Sequence, residues 1–257
     1  MLGRRLLGTG IIVVIALCGL LAPYIAPYDP YQSSMDFLQG PSAAHWLGTD
    51  DLGRDILTRI LYGARISLVV GCGAAIVATI LGVPIGLIAG YAGGKIDLVL
   101  VQFIDLFIAL PGLVLALLIT AMVGATVENL AMILGFVMWP TVARLVRGQS
   151  MSVREATYVE AARAVGGTAT WIVTRHIWPN IMRIVAAQFA ITVSFAIFTS
   201  ASLSFLGLGV PPPIPDWGSM VREGFQFLAL FPAMSLAPGA AVGATVLGFY
   251  LIGSSVD

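Results

Sequence analysis

Charge is what this chain has least of. Only 10% of its 257 residues are charged, 13 basic and 13 acidic, while 58% are hydrophobic. A soluble domain is typically about 25% charged, so these side chains cannot cover a soluble surface of this size. Disorder is excluded as well, because disordered chains are polar and charged. Two cysteines are too few for a secreted disulfide scaffold. Cys18 and Cys72 both fall in apolar runs and read as reduced packing residues. Leu17 precedes Cys18 where a lipoprotein signal has a small residue, which argues against lipidation. A net charge of +0 and a pI near 6.7 argue against nucleic acid as a partner. With a mean hydropathy of +0.96, the chain reads as an all-α polytopic membrane protein.

Catalytic and metal-binding residues are equally sparse. The only lysine, Lys95, follows Gly94 but precedes Ile96, so no G-x-x-x-x-G-K-[ST] phosphate loop exists. The two histidines, His45 and His176, lie in polar segments on opposite sides of the expected membrane. No His/Cys/carboxylate group has ligand spacing along the sequence, and Ser202 and Ser204 have no base in their own segment. The reading is therefore no catalytic, cofactor-binding or metal-binding residues in this chain.

What is present is apolar length. A membrane helix needs about 20 mainly apolar residues. Six candidates run Leu6–Ala26, Ile66–Ala92, Leu98–Val123, Leu130–Val146, Ile184–Leu206 and Leu236–Ile252. Arg4 and Arg5 precede the first like a signal peptide, but Pro23 and Pro27 interrupt its cleavage region, so it reads as an uncleaved anchor. With the N-terminus in the cytoplasm, nine basic residues fall inside and four outside, as the positive-inside rule asks. The acidic residues Asp29, Asp36, Asp50, Asp51, Asp55, Glu128, Asp216 and Glu223 collect outside. This divides the chain into an anchor (1–27), an outer segment (28–65) and a membrane core (66–257). In the outer segment, Ile56, Leu57, Ile60, Leu61 and Ala64 share one helical face. That face suits either a short helix on the membrane surface or the first turns of the second span. A second outer loop covers 207–232, and its prolines keep the start from being helical.

Within the spans, Gly82, Gly86 and Gly90 recur every fourth residue, and Gly239 and Gly243 repeat the spacing. Such a stripe lets helix backbones approach closely in lipid. Pro84, Pro111 and Pro140 are expected to kink their spans. Asp105 is the one carboxylate inside a span, and a pair with a cytoplasmic arginine or a cap is favoured over substrate contact. The cytoplasmic stretch 147–180 is the most informative. Good helix formers run from Glu155 to Val165, Gly166-Gly167 ends them, and Thr168 or Thr170 could cap a second helix that Pro179 closes. Two short helices hinged at glycine make a knob outside the bilayer, suited to a protein partner.

This stretch resembles the membrane-spanning subunits of type I ABC importers. Their signature is E-A-A, three residues, Gly, nine residues, then I-x-L-P. Glu160, Ala161, Ala162, Gly166 and Pro179 match it, with His176 and Trp178 replacing the Ile and Leu. "HWLGTDDLGRDILTRILYGARISL" (45–68), "ARLVRGQ" (143–149) and "ASLSFLGLGVPPPIPDWG" (201–218) resemble the dipeptide/oligopeptide/nickel permease branch. The family usually continues several polar residues past its last span, whereas the sequence stops at Asp257.

The resemblance implies the type I importer transmembrane fold in a bacterial cytoplasmic membrane. It also implies a second homologous permease, two ATPase subunits that hold ATP and Mg, and an extracytoplasmic solute-binding protein. Glu160, Ala161, Ala162, Gly166, Gly167 and Pro179 would couple to the ATPases. Peptides are the first expectation for cargo, with nickel chelates or another small solute as alternatives. A secondary carrier or channel is the competing class, but it would place ionisable groups at the midplane or show inverted repeats.

Overall fold

The computed structural model describes residues 2–255, and all regular structure among them is helical. Helix α1 (Leu2–Ile25) is followed by an irregular segment and then α2 (Ile56–Ala92). The others are α3 (Gly94–Ala109), α4 (Gly112–Val123), α5 (Val127–Arg154), α6 (Thr157–Ala164), α7 (Ala169–Ile172), α8 (Trp178–Phe205), α9 (Trp217–Phe225) and α10 (Ala233–Gly253). Five helical stretches are long and apolar enough to span a membrane. The bent pair α3–α4 supplies a sixth.

Two expected boundaries move. No separate surface helix precedes the second span: α2 is continuous over 37 residues. Asp55 caps it, accepting from the Thr58 N–H at 2.8 Å, so the break expected near residue 65 falls at 55. The apolar face of 56–64 packs with Trp217, Met220 and Met234 instead of lying on a membrane surface. Pro179 does not close a helix either. It occupies the first turn of α8, directly after a π-helical turn. A π-helical turn, Val173–Ile177, joins α7 to α8, so helix runs without interruption from Ala169 to Phe205.

Prolines act according to their surroundings. Pro84 and Pro140 sit inside continuous helices. At Pro111 the chain breaks: Leu110 is extended (φ −82°, ψ 129°), as a residue before proline prefers, and α3 and α4 meet at 79°.

The spine of the molecule is the pairing of α2 with α5. A Cβ on Gly82, Gly86 or Gly90 would lie 2.7, 2.5 and 2.6 Å from the carbonyl oxygens of Trp139, Ala143 and Arg147. Three glycines on one face of α2 thus rest directly on three successive turns of α5. Gly239 and Gly243 behave differently: nothing approaches within 3.8 Å of the first or 4 Å of the second. The α1–α10 crossing instead uses Gly8 against Gly248. Polar pairs tie α3 to α5. Arg147 grips Asp97 with both Nε and Nη2 (2.7 Å for the latter), and Arg144 pairs with Asp105.

Candidate functional site

The knob is built from one end of this spine. Val159 and Ala162, three apart on α6, are buried with Ile172, Ile177, Val142 and Val146. That face anchors α6 to α5 and α8, and the other face presents Glu160 and Ala161 to the surroundings. Helix α6 begins at Thr157 rather than Glu155, because α5 extends through Arg154 and Glu155 caps it.

The end of α6 is a Schellman turn. Gly166 N–H donates to Arg163 O (2.9 Å) and Gly167 N–H to Ala162 O (3.0 Å). Gly166 has φ +84°, a left-handed conformation that L side chains rarely adopt. Space is not the constraint there, since a Cβ would meet nothing within 4 Å. Gly167 is restricted by space instead: a Cβ would lie 2.7 Å from Ala162 O and 3.1 Å from the Trp171 ring. Thr168 caps α7, accepting from Trp171 N–H at 3.3 Å.

Of the sequence-predicted coupling residues, Glu160, Ala161, Gly166 and Pro179 are exposed, whereas Ala162 is a packing residue. His176 is half-buried between Trp171 (ring centroids 4.8 Å apart) and Tyr158 (6.1 Å). Spacing alone does not reveal the cleft of about 400 Å³ bordered by Tyr91, Arg154, Glu155, Glu160 and Arg163. Arg154 donates to Tyr91 O at 3.2 Å, and the Arg163 guanidinium lies 5.5 Å from the Tyr91 ring centroid. Tyr91, at the end of α2, carries no local signal for this role. Only the α2–α5 pairing brings it there.

The opposite end holds a buried ion network. Arg54 Nε meets Asp50 at 2.7 Å, and its Nη2 reaches Glu223 at 3.4 Å. Arg59, 2% exposed, lies 3.6 Å from Asp50 and 3.7 Å from Glu223. Asp50, Asp51 and Glu223 bring carboxylate oxygens within 4.8 Å of one another. Two guanidiniums already answer that charge, which makes the group an ion network rather than a cation cage. Burial raises the Glu223 carboxyl above its ordinary range, with Arg59 and Arg54 opposing. Asp216 is raised more simply by burial, although it caps α9 through the Ser219 N–H at 3.0 Å. His45 bonds Asp55 at 2.9 Å, and Trp217 Nε1 donates to Ile60 O at 2.9 Å. Both contacts fasten the outer segment and α9 to the start of α2.

A membrane body without a phosphate loop, ending in a glycine-hinged knob, has clear counterparts. Residues 82–256 match the family model described as a binding-protein-dependent transport system inner membrane component. Residues 5–41 match the N-terminal TM domain of oligopeptide transport permease C. The chain belongs to the ABC importer permeases, in their peptide branch.

Its relatives include a glutathione transport system permease protein, GsiD, of Pectobacterium atrosepticum. That protein is 38% identical over 97% of this chain and 83% of its own length. A dipeptide transport system permease protein, DppC, of Alkalihalophilus pseudofirmus is 40% identical over 98% and 83%. The fold recurs in a structure of the MetNI methionine ABC transporter in inward-facing conformations. There the TM-score is 0.60 at 17% identity, covering 77% of this chain and 96% of that one. The permease family match begins at Gly82, so the glycine seam, the knob and the last span all belong to it.

Proposed function

We propose that this permease forms half of the membrane path of a peptide importer and couples to ATPase subunits through the α6–α7 knob. The observation that carries the reading is the knob itself. One face of α6 is locked into the bundle, while Glu160, Ala161 and the left-handed Gly166 turn face outward. A rigid, protruding turn can pass on a push from a docked partner. A mobile loop would absorb it.

The knob end is the cytoplasmic one. Helix α1 begins at this same end, because Gly8 packs on Gly248 and Gly253 packs on Ala187 O. Arg4, Arg5 and the basic residues from Lys95 to Arg183 therefore lie on one side, as orientation in a bacterial cytoplasmic membrane requires. A second, homologous permease completes the path. Two ATPases hold ATP and Mg, and this chain needs no cofactor of its own. A solute-binding protein delivers cargo to the α9 end. Peptide cargo is supported by the relatives' names, which specify glutathione and dipeptides.

The test is reconstitution of the complete importer in proteoliposomes. Gly166→Pro cannot adopt φ +84° and destroys the turn. The expected result is a complex that assembles and hydrolyses ATP but no longer couples hydrolysis to uptake. Normal uptake by that variant would remove the knob's assignment. Uptake by this permease without ATPases would make it a carrier instead.

A further inference from the structure

A polar stripe runs along α8 at membrane depth, and the knob does not account for it. Gln188, Thr192, Phe195 and Thr199 recur at i, i+4, i+7 and i+11, which sets them on one helical face. The stripe covers about 17 Å at the helical rise. It lines a groove of about 410 Å³, within the usual size of small-molecule sites. Thr141 of α5 faces it, and the α3–α4 break brings Gly112, which has no side chain, to its rim. None of the residues lining the groove is ionisable.

The hydroxyls are oriented. Thr192 Oγ1 donates to Gln188 O at 2.8 Å, and Thr199 Oγ1 donates to Phe195 O at 2.8 Å. Ser202, one step further along the same face, donates to Phe198 O at 2.9 Å. A hydroxyl has one proton and two lone pairs. With each proton committed to its own helix, Thr199 and Ser202 offer only acceptors outward, while the buried Thr192 hydroxyl faces Gln188. The Gln188 amide points its Nε2 toward Thr192 Oγ1 at 3.4 Å, which leaves its carbonyl oxygen and one N–H available. Between the acceptors stands Phe195, 60% exposed, an apolar rung.

Facing lipid, a glutamine amide and a row of hydroxyls would be costly. Polar groups inside a membrane almost always face a bundle interior or a water-filled cavity. Facing a packed helix, they would not leave a groove. We propose that this face of α8 is the cargo-contacting wall of the path and that its acceptors receive the N–H groups of a peptide. Peptide amides and ammonium groups are donors and match it. A free carboxylate would find one donor, the second Gln188 N–H, among several lone pairs, so the wall favours the amide-bearing part of a peptide over its acidic end. Neutral, repeated, single-acceptor contacts also suit passage, since a path must bind weakly enough to release. This inference rests on the importer reading above.

The experiment uses the intact importer in proteoliposomes, with Cys18 and Cys72 replaced by alanine. Thr199→Cys, Gln188→Cys and the outward-facing Ile80→Cys (65% exposed at the native isoleucine) are each treated with a charged, water-borne thiol reagent. A thiol kept out of water loses thiolate, and one unit of pKa alone is about tenfold in rate. The two stripe positions are expected to react at least about tenfold faster than Ile80→Cys. Equal, slow labelling at all three overturns the wall.

Uptake of glutathione and dialanine is then measured. Gln188→Leu and Thr199→Val each remove one acceptor and are expected to raise KM about three- to tenfold. Complex yield stays at the parent level, and Thr199→Ser restores uptake. Wild-type KM in both apolar variants overturns the acceptor role. A parent complex that imports neither peptide overturns the cargo class proposed above, and labelling still decides whether the stripe lines a water path.

Discussion

At the residue scale, identical glycines have opposite meanings. A Cβ at position 86 would sit 2.5 Å from Ala143 O, a backbone atom that can move only if α5 moves. Gly86→Ala is therefore expected to destabilise the fold by about 1–3 kcal/mol, as overpacked sites do. Gly243→Ala meets nothing and, alanine being the better helix former, should raise stability by about 0.5–1 kcal/mol. Thermal unfolding in detergent distinguishes the two, and equal melting of both variants would refute the seam as a packing contact. Gly166 is constrained by angle rather than by space. A side chain there costs about 1–2 kcal/mol, least for asparagine. Gly166→Asn should thus keep more ATP-coupled uptake than Gly166→Val, at comparable expression.

At the element scale, α9 is held by charges that prefer to be neutral. Burial lifts the Asp216 and Glu223 carboxyls above their ordinary range, so the folded chain binds these protons more tightly than the unfolded chain. Their linkage contribution is complete below the unfolded carboxylate range, around pH 4, and is lost as pH rises through the raised folded values. Acidification from neutral pH should then strengthen the α9 attachment, against the usual trend for paired carboxylates. Hydrogen exchange in α9, corrected for intrinsic rates, is expected to slow as pH falls from neutral toward the ordinary carboxylate range. Glu223→Gln should shrink that difference, and an unchanged pH dependence in this variant would assign it elsewhere.

Which elements were legible in the sequence follows from similar local logic. The six apolar stretches, the Gly166–Gly167 turn and the Thr168 cap all depend on neighbours a few residues away. The start of α2 did not, because a surface helix and a first helical turn share one apolar face. Only Trp217, about 150 residues further on, distinguishes them. Pro179 is ambiguous for a related reason: proline follows helices and also opens them. The acceptor stripe on α8 was hidden by its own composition, since four residues among apolar neighbours look like ordinary packing until the groove is seen.

At the scale of the whole molecule, the two ends are joined by helix rather than by loop. Helix α2 starts within the ion network of Arg59 and finishes at Tyr91, against Arg154 and Arg163. Two spin labels near the ends of α2 should therefore keep one separation through ATP turnover, even while labels on different subunits change theirs. A change in the within-helix distance would mean that Pro84 acts as a joint. With 37 residues, α2 is about 55 Å long, against a hydrocarbon slab of about 30 Å. The surplus gives α2 a lever arm at each end. The glycine seam against α5 lies close to the Tyr91 end, so as a fulcrum it leaves arms of about 9 Å and about 45 Å, and a 10° swing moves the near tip by roughly 2 Å and the far tip by roughly 8 Å. A small angular change at the knob end would then be read at the Arg59 end as a displacement several times larger.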